Sequence, residues 1–181
     1  MNLYNIILNE SKKIAINQGL SFINIRLVAS KCNISIGSVY NYFPSKSDLL
    51  IATIQSIWQD IFKFDKNSFS FDKFTDAISY IFETVNNNLK NYPDFFTLHS
   101  LSFNDNNKFK GKKTMDTFLQ NIKNNLLKIL ENDKNVNPNA FNQHLTPNIF
   151  IDYIFSLLIA CIFDKKSNCK ALIKLIENSI Y

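Results

Sequence analysis

Three glycines and four prolines in 181 residues leave this chain few places to turn sharply or to break a helix. Glycine supplies the left-handed backbone of tight turns and proline interrupts helices and sheets, so their scarcity favours helical runs over a many-turned β architecture. Apolar spacing agrees. Leu3, Ile7 and Ile14 share one helical face, and Gly19 stands where a first helix ends. Leu50, Ile54, Ile57, Trp58 and Ile61 mark a long amphipathic helix, as do Phe74, Ala77, Ile78, Ile81, Phe82, Val85 and Leu89 in a helix ending near Asn91. Pro93 suits a helix start, for a segment through about Ser102. The lysine-rich stretch from Asn104 to Lys113 reads as a loop, and Met115 to Leu130 as another long helix. Two more helices are expected, from about Pro147 to Phe163 and from about Ser167 to Ile180. The expected fold class is all-α, with about nine helices and no strand.

The densest local punctuation lies between Asn24 and Phe43. Asn24 is a helix cap for a short segment through Lys31, with Leu27, Val28 and Ile25 facing inward. Asn33 sits where the chain must turn, and asparagine tolerates the left-handed conformation. Ser35 caps a second short helix that Pro44 ends, and Ser45 with Asp48 three residues later forms a capping box for the helix that follows. Two short helices joined by a turn of about three residues have the spacing of a helix-turn-helix, whose second helix enters the major groove of DNA. On that reading Gly37 lets the backbone approach the groove, Tyr40 and Tyr42 offer hydroxyls to phosphates, and Lys46 adds charge at the next helix start. Val39 and Phe43 face inward and hold the helix to its neighbours.

The run from Asn33 to Leu50 closely resembles the signature of the tetracycline-repressor (TetR) family, Gly-Val-Ser-x-Gly-(Ser/Thr)-(Leu/Val)-Tyr-x-(His/Tyr)-Phe-x-(Ser/Asn)-Lys-x-x-Leu. Ile7, Leu8, Gly19 and the segment Ile25 to Ala29 also resemble that family's framework, so the resemblance spans roughly residues 6–50. Asn33 replaces the usual turn glycine, Cys32 the usual alanine and Asn24 the usual capping threonine. Ser11 and Ala15 stand where the family often has alanine and phenylalanine, and Phe22 is expected to fill that volume. The resemblance implies that Ile36, Gly37, Ser38 and Asn41 face bases, that Tyr40, Tyr42 and Lys46 face phosphates, and that Asn24 and Ser35 belong to the same DNA-binding surface. The recognition helix holds no arginine or lysine, which limits guanine readout.

Charge is distributed in keeping with a polyanionic partner. The net charge is +5. Residues 1–50 carry five basic side chains against two acidic ones, whereas the longer remainder carries fifteen against thirteen. The expected division is a DNA-binding domain over 1–46 and a helical effector-binding and dimerisation domain over 47–181.

Residues beyond 46 are rich in phenylalanine. In the resembled family this part binds a small effector, so the candidate pocket residues are Phe62, Phe82, Phe96, His99, Phe103, Phe118 and Tyr153. The helix from Pro147 is apolar nearly all round, which requires cover on several sides. Phe150, Ile154, Leu157, Leu158, Leu172, Leu175 and Ile176 are therefore the candidates for a four-helix homodimer interface of the kind the family uses.

Other functions lack support. The two histidines are not spaced as metal ligands and the three cysteines form no CxxC pair, so neither a metal site nor a disulfide framework is expected, and no cofactor. No nucleophile–base constellation or phosphate loop points to an enzyme. The most apolar stretch, Ile149 to Phe163, is too short for a membrane span, and no signal peptide opens the chain, so a cytoplasmic location is expected. The partners expected are a pseudo-palindromic double-stranded operator, a second copy of the chain and a small apolar effector that releases a repressor from DNA. The alternative is a DNA-binding protein of the same fold that acts through a protein partner.

Overall fold

The computed structural model describes residues 2–64, 70–92 and 105–181, with the backbone alone over 105–115. Eight α-helices are present among the described residues, and no strand. They are α1 (Leu3–Gln18), α2 (Ile25–Lys31), α3 (Ile36–Tyr40), α4 (Lys46–Ile61), α5 (Phe74–Leu89), α6 (Asp105–Asn132), α7 (Pro147–Phe163) and α8 (Lys170–Ile180), with a 3₁₀ turn at Leu20–Phe22. The all-α expectation holds. The helix expected from Pro93 to about Ser102 lies outside the described residues.

One expectation is corrected. The lysine-rich stretch from 104 to 113 is not a loop, because α6 begins at Asp105 and runs for 28 residues. The stretch contains no proline to interrupt a helix, and no apolar periodicity announces one there.

The chain divides into two compact units. The first holds residues 1–61 with 89–115, and the second 62–88 with 116–181. In the first, α1 lies along α4, and Ile7, Ile14, Leu49, Ile54 and Ile57 are buried with Leu20, Ile23 and Val28. Gly19 ends α1 at φ 104°, a left-handed value that a side chain would strain. Ser11 is buried there: its Oγ lies 2.9 Å from Thr53 Oγ1, which also donates to the Leu49 carbonyl at 2.7 Å. This hydroxyl pair occupies the interior position beside α4, and Phe22, expected to fill it, is instead 57% exposed. At the far end of α4, Asp60 receives Lys12 Nζ from α1 at 2.7 Å and the Tyr92 hydroxyl at 2.5 Å. Burial first, then the hydrogen bond to the Asp60 carboxylate, pushes the Tyr92 hydroxyl well above its ordinary pKa.

In the second unit, α5, the part of α6 beyond residue 115, α7 and α8 enclose Phe74, Ile78, Ile81, Val85, Leu126, Leu158 and Ile176. Thr146 caps α7 by accepting from the Ile149 amide, and Pro147 takes the first helical position, where its missing N–H costs nothing. The asparagine-rich stretch between α6 and α7 is organised by its own side chains: Asn137 accepts from the Asn139 amide, and Asn142 from those of His144 and Leu145.

Asp133 is the polar anchor of this unit. It is buried, and its carboxylate accepts from the Phe74 amide at 2.9 Å, from the Asn135 amide and side chain, and from the hydroxyl of Tyr181. Burial alone would raise its pKa, but the hydrogen bonds from Tyr181, Phe74 and Asn135 outweigh it and hold the carboxyl below its ordinary value. Tyr181 is pushed up to about 12 by burial and by the same carboxylate. A carboxyl whose folded pKa is depressed stabilises the fold above the unfolded value of about 4, and that contribution disappears as pH falls through the folded value. The Tyr181 contribution runs the other way: it is complete below about 10 and disappears as pH rises towards the folded value. Tyr181→Phe is expected to destabilise the protein by roughly 1–3 kcal/mol, because it leaves the carboxylate short of a donor. Thermal unfolding at neutral pH and near pH 3 checks both statements, and the gap between variant and parent should narrow at the lower pH.

Candidate nucleic-acid interface and effector cleft

The turn between α2 and α3 follows from its residues. Asn33 adopts φ 55°, the left-handed conformation expected of it, and the Ile34 amide reaches back to the Ala29 carbonyl at 3.0 Å, closing the C-terminal end of α2. Asn24 caps α2 by accepting from the Leu27 amide at 2.8 Å, while its own amide group donates to the Phe22 carbonyl. Ser35 caps α3 by accepting from the Ser38 amide at 3.0 Å. The Ser35 and Ser38 hydroxyls also lie 2.8 Å apart, so Ser38 is engaged with the cap rather than free on the surface.

α3 is only five residues long, and two side chains hold it in place. Val39 is fully buried, and Phe43 just beyond is nearly so, stacked on Tyr4 of α1 with ring centroids 5.0 Å apart. Tyr4 also meets Tyr42 edge-on at 6.4 Å. The opposite face points to solvent: Ile36, Tyr40 and Tyr42 are 44%, 49% and 40% exposed, and Gly37 and Asn41 are exposed with them. Large apolar and aromatic groups on so short a helix are costly to leave in water unless that face is a contact surface. Lys46 opens α4 and is exposed beside them. Its helix start is the expected capping box: Ser45 Oγ accepts from the Asp48 amide at 3.1 Å and donates to the Asp48 carboxylate at 2.8 Å. Ser35, Ile36, Gly37, Ser38, Tyr40, Asn41, Tyr42 and Lys46 thus lie within one short helix and its two flanking turns. Asn24 is exposed at the start of the preceding helix. Arg26 and Lys31, exposed on α2, add basic charge that the motif alone does not single out.

The family model described as "Bacterial regulatory proteins, tetR family" matches residues 7–53, a span that contains this whole arrangement. Over that span the chain is similar to the tetR family. The solved structures that resemble it include NalD, the secondary repressor of a multidrug efflux pump in Pseudomonas aeruginosa, with TM-score 0.67, 13% identity, and 98% of this chain and 95% of that one covered. FadR from Bacillus subtilis, solved with stearoyl-CoA, has TM-score 0.65 at 15% identity, covering 98% of this chain and all of that one. BioQ, solved with its double-stranded DNA operator, has TM-score 0.62 at 14% identity, covering 98% and 97%. At such identities these likenesses show a shared fold alone. No curated protein matches the sequence.

The second unit holds a cleft of about 540 Å³ lined by Phe62, Lys63, Phe64, Ile122, Asn125, Lys128 and Ile129. Of the pocket residues expected from sequence, Phe62 lines it, and Phe118 packs edge-on against Phe62 with centroids 5.9 Å apart. Phe82 is buried in the core, and Phe96, His99 and Phe103 lie outside the described residues. Tyr153 is 63% exposed on α7 and is not among the residues that line this cleft. Sequence reasoning missed Ile122, Asn125 and Ile129, whose i, i+3, i+7 spacing on α6 was the available signal. The residues expected at a subunit interface also divide. Phe150, Ile154, Leu158, Leu172 and Ile176 are buried within the chain itself, whereas Leu157 and Leu175 are exposed, together with Tyr153 and Phe163. α7 is apolar over most of its surface because one side packs inward while another side carries exposed apolar groups.

Gly37 offers a clean separation of fold from contact. A Cβ placed there would meet only Ser35 Oγ, at 3.8 Å, an ordinary contact. Gly37→Ala is therefore expected to leave the melting temperature unchanged or slightly raised, since alanine gains up to about 1 kcal/mol in a helix. The same methyl stands on the exposed face and should weaken DNA binding by about 1–3 kcal/mol, the scale of one base contact. Paired melting and duplex-titration measurements check both halves.

Proposed function

We propose that this chain is a homodimeric, cytoplasmic transcriptional regulator, a repressor that a small, largely apolar ligand releases from its operator. It performs no catalysis in this reading. The observation that carries it is the exposed face of α3, where Ile36, Tyr40 and Asn41 stand clear of a backbone pinned by Val39 and Phe43. Asn41 pairs with an adenine edge, Ile36 meets a thymine methyl, and Tyr40, Tyr42 and Lys46 hold the phosphates, so the operator half-sites are A·T-rich. Ser38, tied to Ser35, contributes mainly to the helix cap.

The exposed apolar stripe of Tyr153, Leu157, Phe163 and Leu175 supports a symmetric dimer through α7 and α8. Two recognition helices then face half-sites about 34–36 Å apart or a multiple of that. BioQ, solved on its operator, and FadR, solved with stearoyl-CoA, support DNA and a small molecule as partners of this fold. The chain passes directly from the end of α4 at Ile61 into Phe62 of the cleft, so a ligand seated there acts on the helix that starts at Lys46. A ligand that favours one placement of that helix shifts the population away from the DNA-competent form.

Three variants test this reading. Asn41→Ala is expected to relax base preference at one operator position by about 1–3 kcal/mol. Lys46→Ala is expected to weaken all duplexes about equally and to lower the salt slope by roughly one unit. A change in sequence preference on Lys46→Ala would contradict its phosphate role. Leu157→Asp is expected to shift light scattering from dimer towards monomer, because a charge in an apolar interface is costly to bury. A monomeric parent at micromolar concentration would remove the dimer.

A further inference from the structure

The cleft beside Phe62 carries a chemical preference that its apolar walls do not explain. Phe62 and Phe64 meet edge-to-face with centroids 6.2 Å apart, and Ile122 and Ile129 of α6 add aliphatic surface. The polar part of the lining is Asn125 with two lysines, Lys63 and Lys128. Among the described residues no acidic side chain lines the cleft and neither ammonium is engaged in an ion pair. Its volume of about 540 Å³ falls in the range of small-molecule sites. Two cations without an ion-pair partner among the described residues, on a mostly apolar wall, disfavour a cationic ligand and leave a neutral one without a partner for either charge.

We propose that the cleft takes an amphipathic monoanion, a carboxylate paired with Lys63 and Lys128 whose hydrocarbon or aromatic body lies against Phe62, Phe64, Ile122 and Ile129. The amide of Asn125 supplies a further hydrogen bond to the carboxylate. The ammonium–carboxylate contacts are charge-assisted and set the selectivity, while the body supplies most of the buried area. This deepens the ligand-responsive reading and rests on it for the consequence at DNA. The binding step does not depend on it.

The test uses the full chain and three probes of equal length, decanoate, 1-decanol and decyltrimethylammonium, titrated calorimetrically. Decanoate is expected to bind at least about tenfold more tightly than decanol, by ~1.4 kcal/mol. The cation is expected not to bind, and decanoate affinity should fall with added salt. The double variant Lys63→Gln, Lys128→Gln should lose the decanoate advantage, keep its decanol affinity and melt at the parent's temperature. Equal binding of decanoate and decanol, or full decanoate affinity in the double variant, overturns the anion preference and leaves an apolar effector standing. Binding of none of the three overturns the site itself. Titration with and without a duplex selected by the protein separates the two claims: decanoate that binds equally in both states sustains the site and sinks the effector reading.

Discussion

A five-residue helix has no stability of its own in water, so the position of α3 is decided wholly by what buries Val39 and Phe43. α3 packs on α2, and Phe43 beyond it is stacked on Tyr4 of α1. The frame of α1 and α4 is fixed by apolar burial along both helices and by one polar pair, Ser11 with Thr53, whose hydroxyls satisfy each other in the interior. The consequence is a short helix that is rigid on one side and bare on the other. On the proposed reading, a recognition helix without arginine or lysine then meets DNA with groups that are already in place.

The second unit solves a different problem. α7 is apolar over most of its surface, with Asp152 and Ser156 among its polar exposed positions, and among the described residues part of its apolar surface stays exposed. α5, α6 and α8 take up Phe150, Ile154 and Leu158, and Leu157 and Tyr153 remain outside with Leu175 of α8. Asp133 ties this unit together by collecting the start of α5, the turn after α6 and the last residue of the chain on one carboxylate. A buried carboxylate is tolerable there because it receives several donors, which is also why its charge persists.

The cleft shows why burial by itself says little about ligands. Phe62 and Phe82 are equally apolar and both nearly inaccessible, yet of the two Phe62 lines the cleft described above. What distinguishes the site is the company it keeps. Lys63 and Lys128 come from distant parts of the sequence and meet at one wall, so the wall's charge exists only after folding.

The sequence by itself determined most of the N-terminal unit. The caps at Asn24, Ser35 and Ser45, the left-handed Asn33 and the inward Val39 and Phe43 are local features, governed by contacts within a few residues, and each appears in the structure as its residue type requires. Helix positions elsewhere were legible for the same reason wherever an apolar period marked a buried face. At the start of α6 the sequence carries no apolar period, and the helix there was not legible. Only the tertiary structure decided which apolar residues are core, cleft or outer surface. Phe82, Phe62 and Tyr153 belong to those three classes though all are aromatic residues on or beside helices. The difference lies in which neighbours reach each side chain from far along the chain, and periodicity records only that a face is apolar, not what covers it.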